Sequence, residues 1–151
     1  MASSTSHSRR RFAGLIAQTA RHWRRLIDRQ LQPYGLTEAT WVPLLHISRA
    51  AAPMRQKELA ESIALDASSV VCLLDNLQAQ GFIERREGSD RRAKEIHLAA
   101  RGLERVEQVE GISRQVRDSV LVTLPEEDIE RVNHVLEQVL AALDTLSKDT
   151  L

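Results

Sequence analysis

The chain has 151 residues, 42% of them hydrophobic and 28% charged, with 3% aromatics, six glycines and four prolines; this is the composition of one folded domain with an aliphatic core, and it excludes a disordered, fibrous or turn-rich all-β chain. One cysteine, Cys72, excludes an internal disulfide and a cysteine-built zinc cluster, and the lack of an apolar run of ~18 residues or of a signal-type N-terminus sets the expectation of a reducing, cytoplasmic setting. The net charge of zero conceals a dipole, since residues 1–30 hold seven Arg against one Asp and residues 102–151 hold five basic against eleven acidic groups, so a local basic patch is compatible with a neutral whole.

Residues 1–8 are small and polar and read as a flexible tail. From Arg9 a first helix follows: Phe12, Leu15, Ile16, Thr19, Trp23, Leu26 and Ile27 recur at three- and four-residue steps, while Arg21, Arg24, Arg25 and Arg29 fall outside that stripe. Pro33 and Gly35 stop it. Thr37 caps a second helix whose buried face carries Trp41, Leu44, Leu45 and Ser48, with a kink expected at Pro43. Leu59, Ala60 and Ile63 give a short third helix. Leu65 and Asp66 make a turn in which Asp66 caps a fourth helix, carrying Val70, Leu73, Leu74 and Leu77 and closed by Gly81.

Two short helices across a tight turn fit a helix-turn-helix. Residues 82–87 and 92–98 then form a hairpin whose inward face is Ile83, Ile96 and Leu98. Two long helices finish the chain. The first carries Leu103, Val106, Val109, Ile112, Val116, Val120 and Leu121. The second, after Pro125, carries Ile129, Val132, Val135, Leu136, Val139, Leu140, Leu143 and Leu146. That last stripe is wider than a thin protomer covers by itself, which points to a second copy. The expected fold is mainly α with a small two- to three-stranded β wing (α+β): residues 36–99 form the winged helix-turn-helix lobe, and residues 9–35 and 100–151 a helical dimerisation region.

The order helix-turn-helix, then basic hairpin, is the arrangement that reads DNA. The exposed start of the fourth helix offers Ser68, Ser69, Val71 and Cys72 to a major groove, where hydroxyls meet base edges or phosphates and Val71 meets a thymine methyl. Arg91 and Arg92 at the hairpin tip suit a minor groove, with Arg85 and Arg86 on the incoming strand. At these residues the chain resembles the MarR (multiple-antibiotic-resistance regulator) family. The resemblance runs from about Arg9 to Leu146. It rests on GLTEATW, QKELAESIALDASSVV, LLDNLQAQGFIERR and, most specifically, the wing SDRRAKEIHLAARG.

The resemblance implies a homodimer joined through its terminal helices, with two winged lobes straddling a pseudo-palindromic double-stranded operator. It implies that Asp90 holds the wing through an ion pair and that an adjacent arginine enters the minor groove. Val71 and Cys72 stand where the family often has Ser or Thr followed by Arg, so the operator preference does not carry over. Arg55, Ala99 and Thr40 also replace a usual Ser or Thr cap, a threonine and a glutamine.

The histidines form no HxxxH or HExxH pair, and no phosphate-cradling glycine loop, nucleophile elbow or acid/base dyad is visible; neither a cofactor, a metal nor an enzyme is expected. The resemblance places effectors between the dimer helices and the winged lobe. There the helical spacing sets Thr19, His22, Trp23, Trp41, His46, Ser48 and Arg49, a lining for a flat aromatic or heteroaromatic carboxylate. The resulting expectation is a DNA-binding transcription regulator, a repressor released by such an acid. The alternatives are a protein-interaction module without DNA binding and a metal- or redox-responsive regulator, the latter through Cys72.

Overall fold

A computed structural model describes residues 2–149. In chain order it contains α1 (Ala2–Leu31), a 3-10 turn (Gln32–Tyr34), α2 (Glu38–Arg49), β1 (Met54–Arg55), α3 (Gln56–Ile63) and α4 (Ala67–Ala79), followed by β2 (Ile83–Glu87), β3 (Lys94–Leu98), α5 (Ala100–Leu121) and α6 (Glu126–Asp149). The chain divides into two compact units between Val116 and Arg117. No described helix is long and apolar enough to cross a membrane.

The helix-turn-helix is set by its caps. Gly35, at φ +70°, ends the turn that follows α1. At the next junction Arg55 donates its backbone N–H to the Glu58 carboxylate at 2.8 Å, half of a capping box, so an arginine stands in for the usual cap without supplying an acceptor. Ala64 closes α3 in the left-handed region at φ 54°, costly for a residue with a Cβ. It lets Leu65 N–H reach Ala60 O at 3.0 Å, and the chain turns into Asp66 and α4. Gly81, at φ +77°, ends α4, with Phe82 N–H returning to Leu77 O at 3.0 Å.

The wing is antiparallel, with strand order β1-β3-β2. Ile83 pairs Leu98, Arg85 pairs Ile96, and on the other edge of β3 Met54 pairs Ile96. Ala99 N–H adds one more bond to Phe82 O, and Gly102 at the start of α5 lies against that same carbonyl. A Cβ at Gly102 would sit 2.0 Å from it.

Two buried clusters fill the first unit. One gathers Leu44, Ile47, Leu59, Val70, Leu74, Leu77, Phe82, Ile83, Ile96 and Val106 inside the winged lobe. The other gathers Ile27, Leu31, Leu36, Trp41, Leu45, Val109 and Val116, from α1, the loop before α2, α2 and α5. The helix α2 serves both, Leu44 and Ile47 facing one way and Trp41 and Leu45 the other. The second unit, by itself, is chiefly α6, which buries no residue.

Two expectations are corrected. The helix α1 begins at Ala2, so the segment read as a tail is helical throughout its described residues, 2–8. Adding residues to an existing helix costs far less than nucleating one, and small polar residues do not prevent it. Thr37 sits at the N-cap of α2 in extended backbone, but its hydroxyl makes no cap bond and lies 3.3 Å from the Thr40 hydroxyl instead.

Candidate nucleic-acid interface

The helix α4 buries Val70, Leu74 and Leu77 and so turns Ser68, Ser69, Val71 and Cys72 outward. Asp66 organises its first turn. Oδ1 accepts the Ser69 N–H at 2.8 Å and the Ser68 hydroxyl at 2.7 Å, and Oδ2 accepts the Ser69 hydroxyl at 2.9 Å. The Ser68 hydroxyl bond, then those from the Ser69 backbone and hydroxyl, hold the Asp66 carboxyl down to about 2.

The four sequence-marked arginines of the wing divide into two pairs. Arg85, on β2, donates Nε–H to Gln78 Oε1 at 2.7 Å and pairs Asp75 at 2.5 Å, both on α4. Its side chain is partly buried, and the geometry makes it a strut between wing and helix rather than a free cation. Arg86 pairs Glu84 on its own strand at 2.7 Å. Arg91 and Arg92, at the tip, are exposed and have no ion-pair partner among the described residues. Asp90 has no ion pair among the described residues and makes a turn contact: its Oδ1 accepts the Arg92 backbone N–H at 3.1 Å, and its carbonyl accepts the Ala93 N–H at 3.2 Å. A carboxylate two residues before a backbone donor satisfies it locally.

The wing, the start of α3 and α4 enclose a cleft of about 750 Å³ lined by Arg55, Gln56, Lys57, Gln78, Arg85, Arg92, Ala93, Lys94 and Ile96. Five of these are cationic and none is acidic. Arg55, Lys57 and Lys94 add basic groups that no motif of the sequence marks. Arg55 and Lys57 lie far from Lys94 in the chain and meet it because β1 pairs with β3, Arg55 opposite Glu95. With Arg92 they give the cleft beside α4 a cationic lining, and Arg91 stands next to Arg92 at the wing tip; such a lining suits a sugar–phosphate strand.

The residues expected to hold an effector occupy several neighbourhoods. Trp41 is in the second core and donates its indole N–H to Asp28 Oδ1 at 3.2 Å, and Trp23 packs against the same core. Thr19 and His22 are exposed on α1. Arg49 forms a two-pronged pair with Glu110 of α5, Nε at 3.1 Å and Nη2 at 3.3 Å. Ser48 donates back to Leu45 O at 2.8 Å. His46 faces α3, its Nδ1 2.5 Å from Ser62 Oγ. Burial lowers the His46 pKa, with Arg49 and Arg24 acting in the same direction. A separate cleft of about 380 Å³ lies beside Arg21, Arg24, Arg25, Asp28 and Glu38, and it contains none of the seven. No group of three potential metal ligands occurs among the described residues.

Comparison with known proteins adds to this geometry. A MarR family model matches residues 34–93, which contain both helices of the helix-turn-helix and most of the wing. The crystal structure of the transcriptional regulator PA3341 is 37% identical, superposes with a TM-score of 0.82 and covers 89% of this chain and 98% of its own. Wild-type MarR from E. coli in its apo form is 25% identical, with a TM-score of 0.71 over 85% of this chain and 96% of that one. The S. aureus MepR–DNA complex, at 22% identity, TM-score 0.74 and coverage of 87% and 97%, shares the fold.

Proposed function

We propose, for a chain that belongs to the MarR family of winged-helix transcription regulators, that it binds operator DNA as a homodimer and represses transcription until an aromatic carboxylate releases it. The observation that carries the DNA reading is the cleft beside α4, whose charged lining residues are all cationic. A phosphate strand crossing between major and minor groove would lie against Arg55, Lys57 and Lys94, with α4 in one groove and Arg91 and Arg92 in the other. Dimerisation is supported by the exposed apolar residues of α1 (Phe12, Leu15, Ile16) and of α6 (Val132, Val135, Leu140, Leu143). In a dimer the two copies of α4 must stand about 34 Å apart to enter successive major grooves.

The effector part of the proposal rests on α2, which carries Trp41 in its first turn and Arg49 at its last residue. A bound carboxylate would take Arg49 from Glu110, and a ring would pack near the tryptophans. A ligand that prefers another lobe spacing shifts the population away from the DNA-competent geometry.

The test is a binding titration at several salt concentrations with wild type and with Arg55→Ala, Lys57→Ala and Lys94→Ala. Each lost phosphate contact should lower the salt slope by about one. Equal slopes in all four proteins would remove the cleft from the interface, and a wild type that binds no DNA at low salt would favour the protein-interaction alternative. Titrating hydroxybenzoates into the protein–DNA complex while following tryptophan fluorescence tests the effector.

A further inference from the structure

The first turn of α4 fixes the direction in which its two hydroxyls form hydrogen bonds. An ionised carboxylate only accepts, and a serine hydroxyl has one proton to give. Ser68 gives its proton to Asp66 Oδ1 and Ser69 gives its own to Oδ2. The Ser69 backbone N–H completes the set. With its pKa held down to about 2, Asp66 is ionised at every pH used for a protein–DNA experiment. Such O–H···O⁻ bonds are about twice as strong as neutral ones, so turning either proton outward sacrifices a strong bond at the helix cap. Both side chains are exposed and present lone pairs, not protons, to whatever lies in front of α4.

Major-groove edges differ in this respect. Adenine N6 and cytosine N4 carry amino donors, whereas guanine O6 and thymine O4 are acceptors. An unconstrained serine serves either kind by rotating its hydroxyl. We infer that Asp66, Ser68 and Ser69 together read amino against keto bases, selecting A or C and disfavouring G or T on the strand that α4 faces. This rests on the proposed placement of α4 in the major groove. Phosphate oxygens are acceptors too, so the same constraint turns the two hydroxyls away from the backbone. They add specificity, and the affinity comes from the basic cleft.

The experiment selects binding sites from a randomised DNA pool with the full-length protein and with Ser68→Ala, Ser69→Ala and Asp66→Asn. In wild type, one or two positions per half-site should favour A or C over G or T by roughly three- to tenfold, the worth of one hydrogen bond. Each alanine should flatten one such position. Asp66→Asn keeps a capping oxygen, but its amide also donates, so at least one hydroxyl regains an outward proton. The same positions should flatten while the rest of the motif stays. Asp66→Ser, another good cap, gives the same readout should the asparagine variant not fold. G or T at the serine-dependent positions overturns the inference alone, as does a wild-type motif that survives all substitutions unchanged. No enriched motif in wild type overturns the operator reading and this inference together.

Discussion

Leu74, in the winged lobe, and Leu143, in α6, are the same side chain in opposite circumstances: the first is 0% exposed and the second 54%. Leu74 is enclosed by one cluster to which α2, α3, the hairpin and, from outside the lobe, the start of α5 contribute. Along α6 the stripe Val132, Val135, Leu140 and Leu143 is open. The core around Leu74 is therefore closed within one chain, whereas the last helix leaves its apolar stripe uncovered. A residue buried within a lobe answers to folding stability, and a residue on an open stripe answers to association, so the two regions should fail differently when altered.

The largest effect is expected on the open stripe. Leu140→Asp with Leu143→Asp places two carboxylates where a dimer would bury leucines, at roughly 1–3 kcal/mol each. Sedimentation at micromolar concentration should show monomers with the helical spectrum kept. A wild type that is already monomeric would break the comparison. Next comes Gly102→Ala, which drives a Cβ into Phe82 O and should cost about 3 kcal/mol, read as a lower denaturant midpoint; an unchanged midpoint would mean that α5 can shift off the hairpin. Smaller, and of opposite sign, is Ala64→Gly. It relieves a left-handed alanine and should stabilise the lobe by about 1 kcal/mol at most, because the glycine also loosens the unfolded chain.

The smallest effect concerns pH. The folded state lowers the His46 pKa, chiefly by burial, so it favours neutral imidazole. The associated stability is complete above the unfolded value of about 6.5 and declines as pH falls through the lowered folded value. His46→Gln should remove that decline between neutral and mildly acidic pH, measured by denaturation at each pH. A wild type and variant whose stabilities run parallel would discount the burial.

The helices were legible because their apolar residues repeat every three or four positions, and the helix-turn-helix because Asp66 and Gly81 bracket α4. What the pattern could not carry was long-range pairing. The strand β1 is two residues long, too short to show alternation, and exists only because Met54 and Arg55 lie beside β3. The basic cleft depends on that pairing. Arg85 looked like a DNA contact because it is a cation in a basic hairpin, yet Asp75 and Gln78 claim it. Arg49 is expected to face a carboxylate ligand, and nothing local announces Glu110, which arrives from α5 and takes its guanidinium.

The double role of α2 has a consequence for the order of assembly. Most contacts within the lobe join neighbouring segments, whereas the second core must join Trp41 and Leu45 to Val109 and Val116 across a loop of about 70 residues, whose closure carries an entropic cost that rises with length. Folding of the lobe presents Trp41 and Leu45 already fixed on a rigid helix and brings the start of α5 beside the hairpin, through Val106 and the contact at Gly102. The remaining closure then spans a few turns of α5 instead of the whole lobe. Refolding should show protection of α4 and β3 amides before those of the Val109–Val116 turns, with the lobe acting as the template on which the rest of α5 is laid down.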